Sequence, residues 1–122
     1  MNVCNNKFGI LIRDLRHKNG DTLRGLATKL NVSAAFISSL ELGRKQIPAD
    51  YVEKITEIYN LNKEEQEELI DAINSTNEKI TLNLKELNEE QKDLSLIFAR
   101  KIKTSDDDLI NKLREILYED ND

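Results

Sequence analysis

Short blocks of apolar residues between residues 7 and 73 constrain the fold of this chain more than any other feature. Within each block these residues recur at three- and four-residue intervals, the spacing of one face of an α-helix. Gly20 and Gly43 suit the left-handed position after a helix, while Thr22 and Ser33 suit the N-cap before one. The second and third helices would be only about eight to ten residues long, so they must be stabilised by packing together.

Two further helices are predicted after Pro48. Asp50 with Glu53, and Asn62 with Glu65, have the spacing of a capping box, in which two residues satisfy each other's backbone amides. The first five helices together predict a small bundle with one apolar core. The residues predicted to form its apolar faces are Phe8, Leu11, Ile12, Leu15, Leu23, Leu26, Ala27, Leu30, Phe36, Ile37, Leu40, Tyr51, Ile55, Ile58, Tyr59, Leu69, Ile70 and Ile73.

The composition changes at residues 74–79, which are predicted to form a linker or turn. Residues 80–84 alternate apolar and polar side chains, which favours either a short extended segment or an irregular start of a helix. Asn88 with Gln91 then predicts a sixth helix, and Ser105 followed by three aspartates predicts a seventh.

We therefore expect an all-α fold, with a five-helix head in residues 1–76 and a C-terminal helical hairpin in residues 77–122. Two amphipathic helices bury little surface by themselves, so the hairpin should pack on the head or on a second copy of the chain. The apolar stripe predicted to make a homodimer consists of Leu94, Ile97, Phe98, Ile102, Leu109, Ile110, Leu113, Ile116 and Leu117.

Charge is divided unevenly along the chain, whose formal net charge is −5. Residues 1–48 contain eight Lys or Arg against three Asp or Glu, a balance of +5, and residues 49–122 contain ten against twenty, a balance of −10. This division favours contact between the first part and a polyanion, although a basic solvated surface would give the same count.

Several classes of function are excluded by what the sequence lacks. No apolar run approaches the roughly 20 residues that cross a bilayer, so we expect no membrane partner and a cytoplasmic location. Cys4 is the only cysteine, which rules out a disulfide or a cysteine-based metal site within one chain. Without a phosphate-binding glycine loop, a nucleophile elbow or a metal-ligand cluster, we expect neither an enzyme nor a cofactor. His17 should lie on the surface or make a backbone contact, and Glu41 should be structural, either satisfying amides or pairing with a neighbouring basic residue.

The third predicted helix has an unusually smooth outward face. If its apolar residues turn inward, only small uncharged side chains remain outside, and these are Ala34, Ala35, Ser38 and Ser39. Such a face can lie in the major groove of DNA, where serine can donate or accept and an alanine methyl can contact the thymine methyl. Thr22 at a helix N-terminus, with Arg24, Arg44 and Lys45 nearby, is suited to phosphate groups. Double-stranded DNA is therefore the predicted partner.

Residues 22–48, TLRGLATKLNVSAAFISSLELGRKQIP, resemble the lambda-repressor-like, Xre-type helix-turn-helix regulators of bacteria, their phages and mobile elements. The similarity extends over roughly residues 7–73. It implies that the second helix begins near a DNA phosphate and that the third helix approaches the DNA bases or the adjoining DNA backbone. It also implies that a basic residue beyond the third helix contacts phosphate. The residues to which these roles carry over are Thr22, Leu23 and Arg24, then Ser33, Ala34, Ala35, Ser38 and Ser39, and finally Arg44.

The chain departs from the pattern of this family at the start of both helices. Leu23 stands where glutamine is frequent, Ala34 and Ala35 stand where longer polar residues are frequent, and Asn31 replaces the glycine often found in the turn. The fold implied by the resemblance does not depend on these positions, whereas the operator sequence does.

The function predicted from these features is that of a sequence-specific DNA-binding transcriptional regulator, a repressor that binds an inverted-repeat operator as a homodimer. The alternative is a protein-interaction module, such as an antitoxin, an adaptor or an inhibitor, whose acidic C-terminal segment binds a protein partner.

Overall fold

All regular elements of the described chain are helical, which confirms the all-α fold class. The computed structural model describes residues 6–118, so the interpretation of Cys4 lies outside the described residues. The helices are α1 (Lys7–Lys18), α2 (Leu23–Leu30), α3 (Ala34–Glu41), α4 (Tyr51–Tyr59), α5 (Lys63–Asn77), α6 (Glu89–Lys101) and α7 (Asp107–Tyr118). Short 3-10 turns lie at Leu84–Glu86 and Ile102–Thr104. The chain divides into two compact units, Met1–Thr81 and Leu82–Asp122.

The first unit is a bundle of α1 to α5 around one apolar core. Within it, α1 packs against α3 and α5, α2 packs against α3, and α4 packs against α5. The largest side chains with almost no exposed surface are Phe8, Ile12, Leu26, Ile37, Leu40, Ile55 and Leu69. Because every one of the five helices contributes to this set, they share a core that none of them could form alone.

A few residues differ from the predicted core. Ile70 is 39% exposed, so its assignment to the apolar face was wrong, and Phe36 is only half-buried at the edge of the core. Conversely, Ile47 and Leu61 are buried although they lie in loops. Helical periodicity does not reveal such residues, because they are outside any helix.

Polar caps begin four helices where the sequence predicted them. The hydroxyls of Thr22 and Ser33 each accept a hydrogen bond from the amide three residues later, at 2.9 and 3.0 Å. The capping boxes in residues 62–65 and 88–91 are both complete. These caps satisfy amides that have no partner within the first turn of a helix.

The capping box predicted at Asp50 is wrong. Its backbone is already helical, with φ −74° and ψ −3°, whereas a capping residue needs an extended backbone. The Tyr51 amide donates instead to the Pro48 carbonyl at 3.1 Å, and the Asp50 carboxylate pairs with Lys54.

The residue predicted to open α7 is also wrong by one position. Asp106, and not Ser105, caps this helix, because its carboxylate accepts a hydrogen bond from the Leu109 amide at 2.9 Å. The Ser105 hydroxyl donates to the Ile102 carbonyl and so closes the preceding 3-10 turn.

The linker predicted at residues 74–79 is largely helical, because α5 continues to Asn77 and ends at Glu78, whose φ is 54°. The extra turn is stabilised by contacts with distant parts of the unit. The Thr76 hydroxyl accepts from the Phe8 amide at 3.1 Å, and the Asn77 side chain bonds to the backbone of Ile47. Residues 80–83 form no strand and are irregular, and Leu84 begins the first 3-10 turn.

The second unit has no buried residue in α6 or α7. Leu94 is 65% exposed and Phe98 is 44% exposed on α6, while Ile116 and Leu117 are more than half exposed on α7. The nine residues of the predicted apolar stripe are all present on described helices, and none of them is buried. Throughout residues 6–118, no helix is both long enough and apolar enough to cross a bilayer.

Candidate nucleic-acid interface

Helices α2 and α3 are joined by a tight turn centred on Asn31. The backbone of this residue is left-handed, with φ 60° and ψ 42°. The Asn31 amide donates to Thr28 at 3.1 Å, and the Val32 amide donates to Ala27 at 3.0 Å. The two bonds end α2 and redirect the chain, so that α3 starts only three residues further on.

The far end of α3 is closed in the same way. Gly43 has φ +74°, its amide donates to Leu40 at 3.1 Å, and the Arg44 amide donates to Ser39 at 2.9 Å. This pair of bonds is the Schellman motif, which requires a residue that tolerates a left-handed backbone. It fixes the backbone of Arg44 at the C-terminal end of α3.

Helix α3 lies unusually close to α1. A Cβ added at Gly9 would collide with the Glu41 carbonyl oxygen, so only glycine permits this approach. The side-chain amide of Asn6, just before α1, donates to the Leu40 carbonyl at 3.2 Å. These contacts attach the last turn of α3 to the first turn of α1.

Glu41 strengthens the same contact and has the structural role that the sequence predicted. Its carboxylate is 3.3 Å from the Arg16 guanidinium and 3.4 Å from that of Arg13, both on α1. Glu41 is only 7% exposed and Arg16 is also buried, so each neutralises the charge of the other inside the unit.

With α3 attached by its inner face, its outer face carries most of the residues that were predicted to point outward. Ser33 and Ala35 are exposed and Ser38 and Ser39 are partly exposed, whereas Ala34 is partly buried against the core, so its predicted outward position was wrong. The Ser39 hydroxyl donates to the Ala35 carbonyl at 3.0 Å, so it offers its lone pairs outward as hydrogen-bond acceptors. Small side chains along this face leave room for another surface to approach the helix closely.

The predicted phosphate-binding residues lie at the two ends of this arrangement. Thr22 and Arg24 are exposed at the start of α2, whereas Leu23 between them is partly buried against the core. Because the Thr22 oxygen accepts from Gly25, its hydroxyl proton is available to a phosphate oxygen. Arg44 and Lys45 are exposed just beyond α3.

Phe36 is partly exposed, and Lys45 lies over its ring. The Lys45 ammonium lies 5.5 Å from the ring centroid, a distance at which a cation and an aromatic ring attract each other. The ring therefore restrains a basic side chain at the edge of α3, which the predicted inward position of Phe36 did not anticipate.

A family model described as a helix-turn-helix domain matches residues 7–69, more than half of the 122 residues. The chain belongs to the helix-turn-helix domain family. The match agrees with the resemblance to lambda-repressor-like regulators, and the family indicates a DNA-binding regulator and is typically non-enzymatic. No curated protein and no solved structure matches the chain.

Within the helix-turn-helix domain, Asp21 is an acid whose role the sequence did not reveal. Its carboxylate accepts hydrogen bonds from Lys29 at 3.0 Å, from Tyr59 at 2.9 Å and from the Thr22 amide at 3.0 Å. Burial alone would raise the pKa of Asp21, but the bonds from Lys29 and Tyr59 outweigh it and lower this pKa. Asp21 thus ties the start of α2 to α4, and an aspartate before an N-cap threonine was the only local signal.

Tyr59 is the second member of this cluster. Burial, followed by the hydrogen bond to Asp21, raises the pKa of its phenol well above the ordinary value of 10.0. The phenol therefore stays protonated and continues to donate to Asp21 throughout the neutral range.

The balance of charge around α2 and α3 is positive. Asp21 and Glu41 are both engaged with bases inside the domain. In contrast, no carboxylate of residues 6–118 lies within 4.0 Å of the side-chain nitrogens of Arg24, Arg44 or Lys45. Over the same residues, no cluster of three or more His, Cys, Asp or Glu could hold a metal ion.

Replacing Glu41 by glutamine should destabilise the domain, because Arg16 would remain buried without an opposite charge. We expect Glu41→Gln to lower the free energy of unfolding by about 2 kcal/mol in a urea titration. Glu57→Gln, an exposed change on α4, is the matched control and should have no measurable effect. Equal unfolding midpoints for the two variants would show that the ion pairs with Arg13 and Arg16 do not stabilise the attachment of α3.

Tyr59 should make stability depend on pH in the alkaline range. Because its folded-state pKa is raised, its contribution is fully present below about pH 10 and is lost as the pH rises further. Tyr59→Phe should lower the free energy of unfolding at pH 7 by about 1 kcal/mol through the lost bond to Asp21. Tyr59→Phe should also make the decline of the free energy of unfolding above pH 10 shallower. Part of the decline should remain, because burial also raises the pKa of Tyr51.

Denaturant titrations at several pH values between 7 and 11.5 would measure both effects. Tyr118→Phe, a change at an exposed tyrosine on α7, is the control. If Tyr59→Phe and the parent declined in parallel above pH 10, titration of Tyr59 would not be coupled to folding.

Proposed function

We propose that this protein is a sequence-specific DNA-binding regulator that represses transcription in the cytoplasm by occupying promoter DNA. The observation that carries the proposal is the combination of a smooth outer face on α3 with exposed bases at both ends of the α2–α3 pair. A helix that projects such a face fits the major groove of B-DNA, while the basic side chains that flank it reach the phosphates on either side.

The two sets of residues would make different contributions to binding. Arg24, Arg44 and Lys45 would supply affinity without regard to sequence, because they meet a phosphate backbone that is the same everywhere. Ala35, Ser38 and Ser39 would supply the choice of sequence through base edges and thymine methyl groups. Because the outer face of α3 has few long polar side chains that could contact base edges, the affinity of this domain for DNA would depend strongly on the phosphate contacts.

Dimerisation is the second part of the proposal. Helices α6 and α7 expose apolar side chains that a single chain leaves in water, and their removal from water would stabilise association with a second copy. A symmetric pair of DNA-binding domains would recognise an inverted repeat, with half-sites about 10 base pairs apart or a multiple of that distance.

A protein-interaction module is the alternative, and the same exposed residues favour it. A surface with exposed Leu94 and Phe98, in a part of the chain with a charge balance of −10, would also suit a protein partner with an apolar surface and basic surroundings. In that case the C-terminal helices would bind an antitoxin's target, or the partner of an adaptor or inhibitor, and DNA binding would be secondary.

The experiment that tests the proposal is selection of bound fragments from a sheared genomic library at about 150 mM salt, where nonspecific binding is weak. Recovery of fragments that share an inverted repeat would support a symmetric regulator. Recovery of no sequence above background, together with capture of a protein that needs α6 and α7, would support the alternative.

Substitutions in the two sets of residues should separate phosphate contacts from base contacts. Arg44→Ala and Lys45→Ala should each weaken binding to selected and random duplexes by the same factor and lower the salt dependence of log K by about one. Ser39→Ala should change the ranking of sequences with little change in salt dependence. Lys103→Ala, at an exposed base outside the helix-turn-helix domain, is the control, and equal effects of all these changes on both duplexes would contradict the proposed division.

Changes on the exposed apolar surface test dimerisation. Phe98→Ser and Leu117→Ser should each shift the molar mass measured by light scattering from dimer towards monomer, and should weaken binding to a two-half-site duplex much more than to a single half-site. Glu90→Ser, an exposed polar change on α6, should alter neither property. A parent protein that is monomeric both with and without DNA would rule out the homodimer.

A further inference from the structure

The loop of residues 43–50 carries two of the proposed phosphate contacts, Arg44 and Lys45, and is restrained on both sides of them. On the side of α3, the Arg44 amide donates to the Ser39 carbonyl at 2.9 Å. On the other side, Ile47 is 3% exposed and its side chain belongs to the apolar core. Only a short piece of loop therefore separates two fixed points.

The backbone at the second fixed point is bound by one distant side chain, Asn77 in the last turn of α5. Its side-chain oxygen accepts from the Ile47 amide at 2.9 Å, and its side-chain nitrogen donates to the Ile47 carbonyl at 3.0 Å. A carboxamide can satisfy a backbone amide and a carbonyl of one residue together, because it carries both a donor and an acceptor. No other hydrogen bond within residues 6–118 involves the backbone of Ile47.

We propose that Asn77 is a positioning residue for DNA binding, which acts through Ile47 to fix the loop that presents Arg44 and Lys45 to phosphate. The inference rests on the function proposed above. Asn77 does not have to touch DNA for this role, and the turn of α5 that carries it is the one that appeared to be a linker in the sequence.

The physical reason is the entropy of the loop. When Asn77 is absent, the Ile47 amide and carbonyl must find water, and the buried side chain of Ile47 no longer has a fixed backbone. Arg44 and Lys45 would then have to be ordered at the moment of binding, which costs affinity without changing which bases are read. The contact of Lys45 with the Phe36 ring restrains the side chain only while the backbone beneath it is fixed.

The experiment measures binding of the full chain to two probes, a genomic duplex recovered by the selection and a random-sequence duplex of the same length, at low salt so that both can be quantified. Asn77→Ala should weaken binding to both probes by about three- to tenfold. Asn77→Gln keeps both a donor and an acceptor on a side chain one methylene longer, so it should give a smaller loss and is the milder variant if Asn77→Ala folds poorly.

Two controls separate positioning from general stability. Ser75→Ala changes an exposed residue of the same helical turn and should have no effect on binding. Ile73→Val removes a buried methylene from α5, so it should lower stability without touching Ile47, and well below its melting temperature it should bind both probes like the parent. If Ile73→Val weakened binding as much as Asn77→Ala, the effect of Asn77 would be one of stability alone, and the inference would fail.

A double-mutant cycle with Lys45→Ala provides the decisive comparison. If Asn77 acts through the loop, Asn77→Ala should cost less in the Lys45→Ala background than in the parent, because one of the side chains to be positioned is gone. Additive losses would overturn the inference. If Arg44→Ala and Lys45→Ala left binding unchanged, the proposed phosphate contacts would be wrong, and the inference would fail with them. If those two variants weakened binding but Asn77→Ala did not, only the role of Asn77 would be overturned.

Discussion

The close approach of α3 to α1 is the constraint on which the rest of the helix-turn-helix domain depends. At Gly9 the two helices are separated by so little space that any Cβ would strike the Glu41 carbonyl. Beside this contact, the Glu41 carboxylate lies 3.4 Å from the Arg13 guanidinium and 3.3 Å from that of Arg16. Since one side of α3 packs against α1 and the core, only its opposite side is accessible to another molecule.

A single asparagine extends this constraint to the end of the bundle. The side-chain oxygen of Asn6 accepts from the Gly9 amide at 3.0 Å and from the Thr76 hydroxyl at 3.1 Å, while its nitrogen donates to the Leu40 carbonyl. The start of α1 and the ends of α3 and α5 thus share one carboxamide. Because partly buried polar groups are costly when unpaired, the three helix ends stabilise one another, and a change at one of them would be felt at the other two.

Local chemistry explains which features the sequence predicted and which it did not. The helix starts at Thr22 and Ser33 depend on a few adjacent residues, so their patterns predicted them correctly. The last turn of α5 contains small polar residues that locally favour a linker, yet Asn77 and its neighbours are helical because their partners lie far away in the chain. The candidate site also has a part that the sequence predicts and a part that it does not. The small side chains on the outer face of α3 follow from helical periodicity, whereas the contact of Lys45 with an aromatic ring depends on the folded loop.

Charge is organised by the same packing. A chain with a net charge of −5 would be repelled by DNA if its acids were spread evenly over its surface. In residues 1–48, however, Asp21 pairs with Lys29, and Glu41 pairs with Arg13 and Arg16. The charges of these two acids are therefore neutralised within the domain. Within residues 6–118, Arg24 on α2 and Arg44 and Lys45 after α3 are among the basic residues that have no carboxylate within 4.0 Å, and most of the acidic excess lies in later parts of the sequence. Because a potential decays over about 8 Å at physiological salt, the sign of the nearby charges matters more for a bound polyanion than the sign of the whole chain.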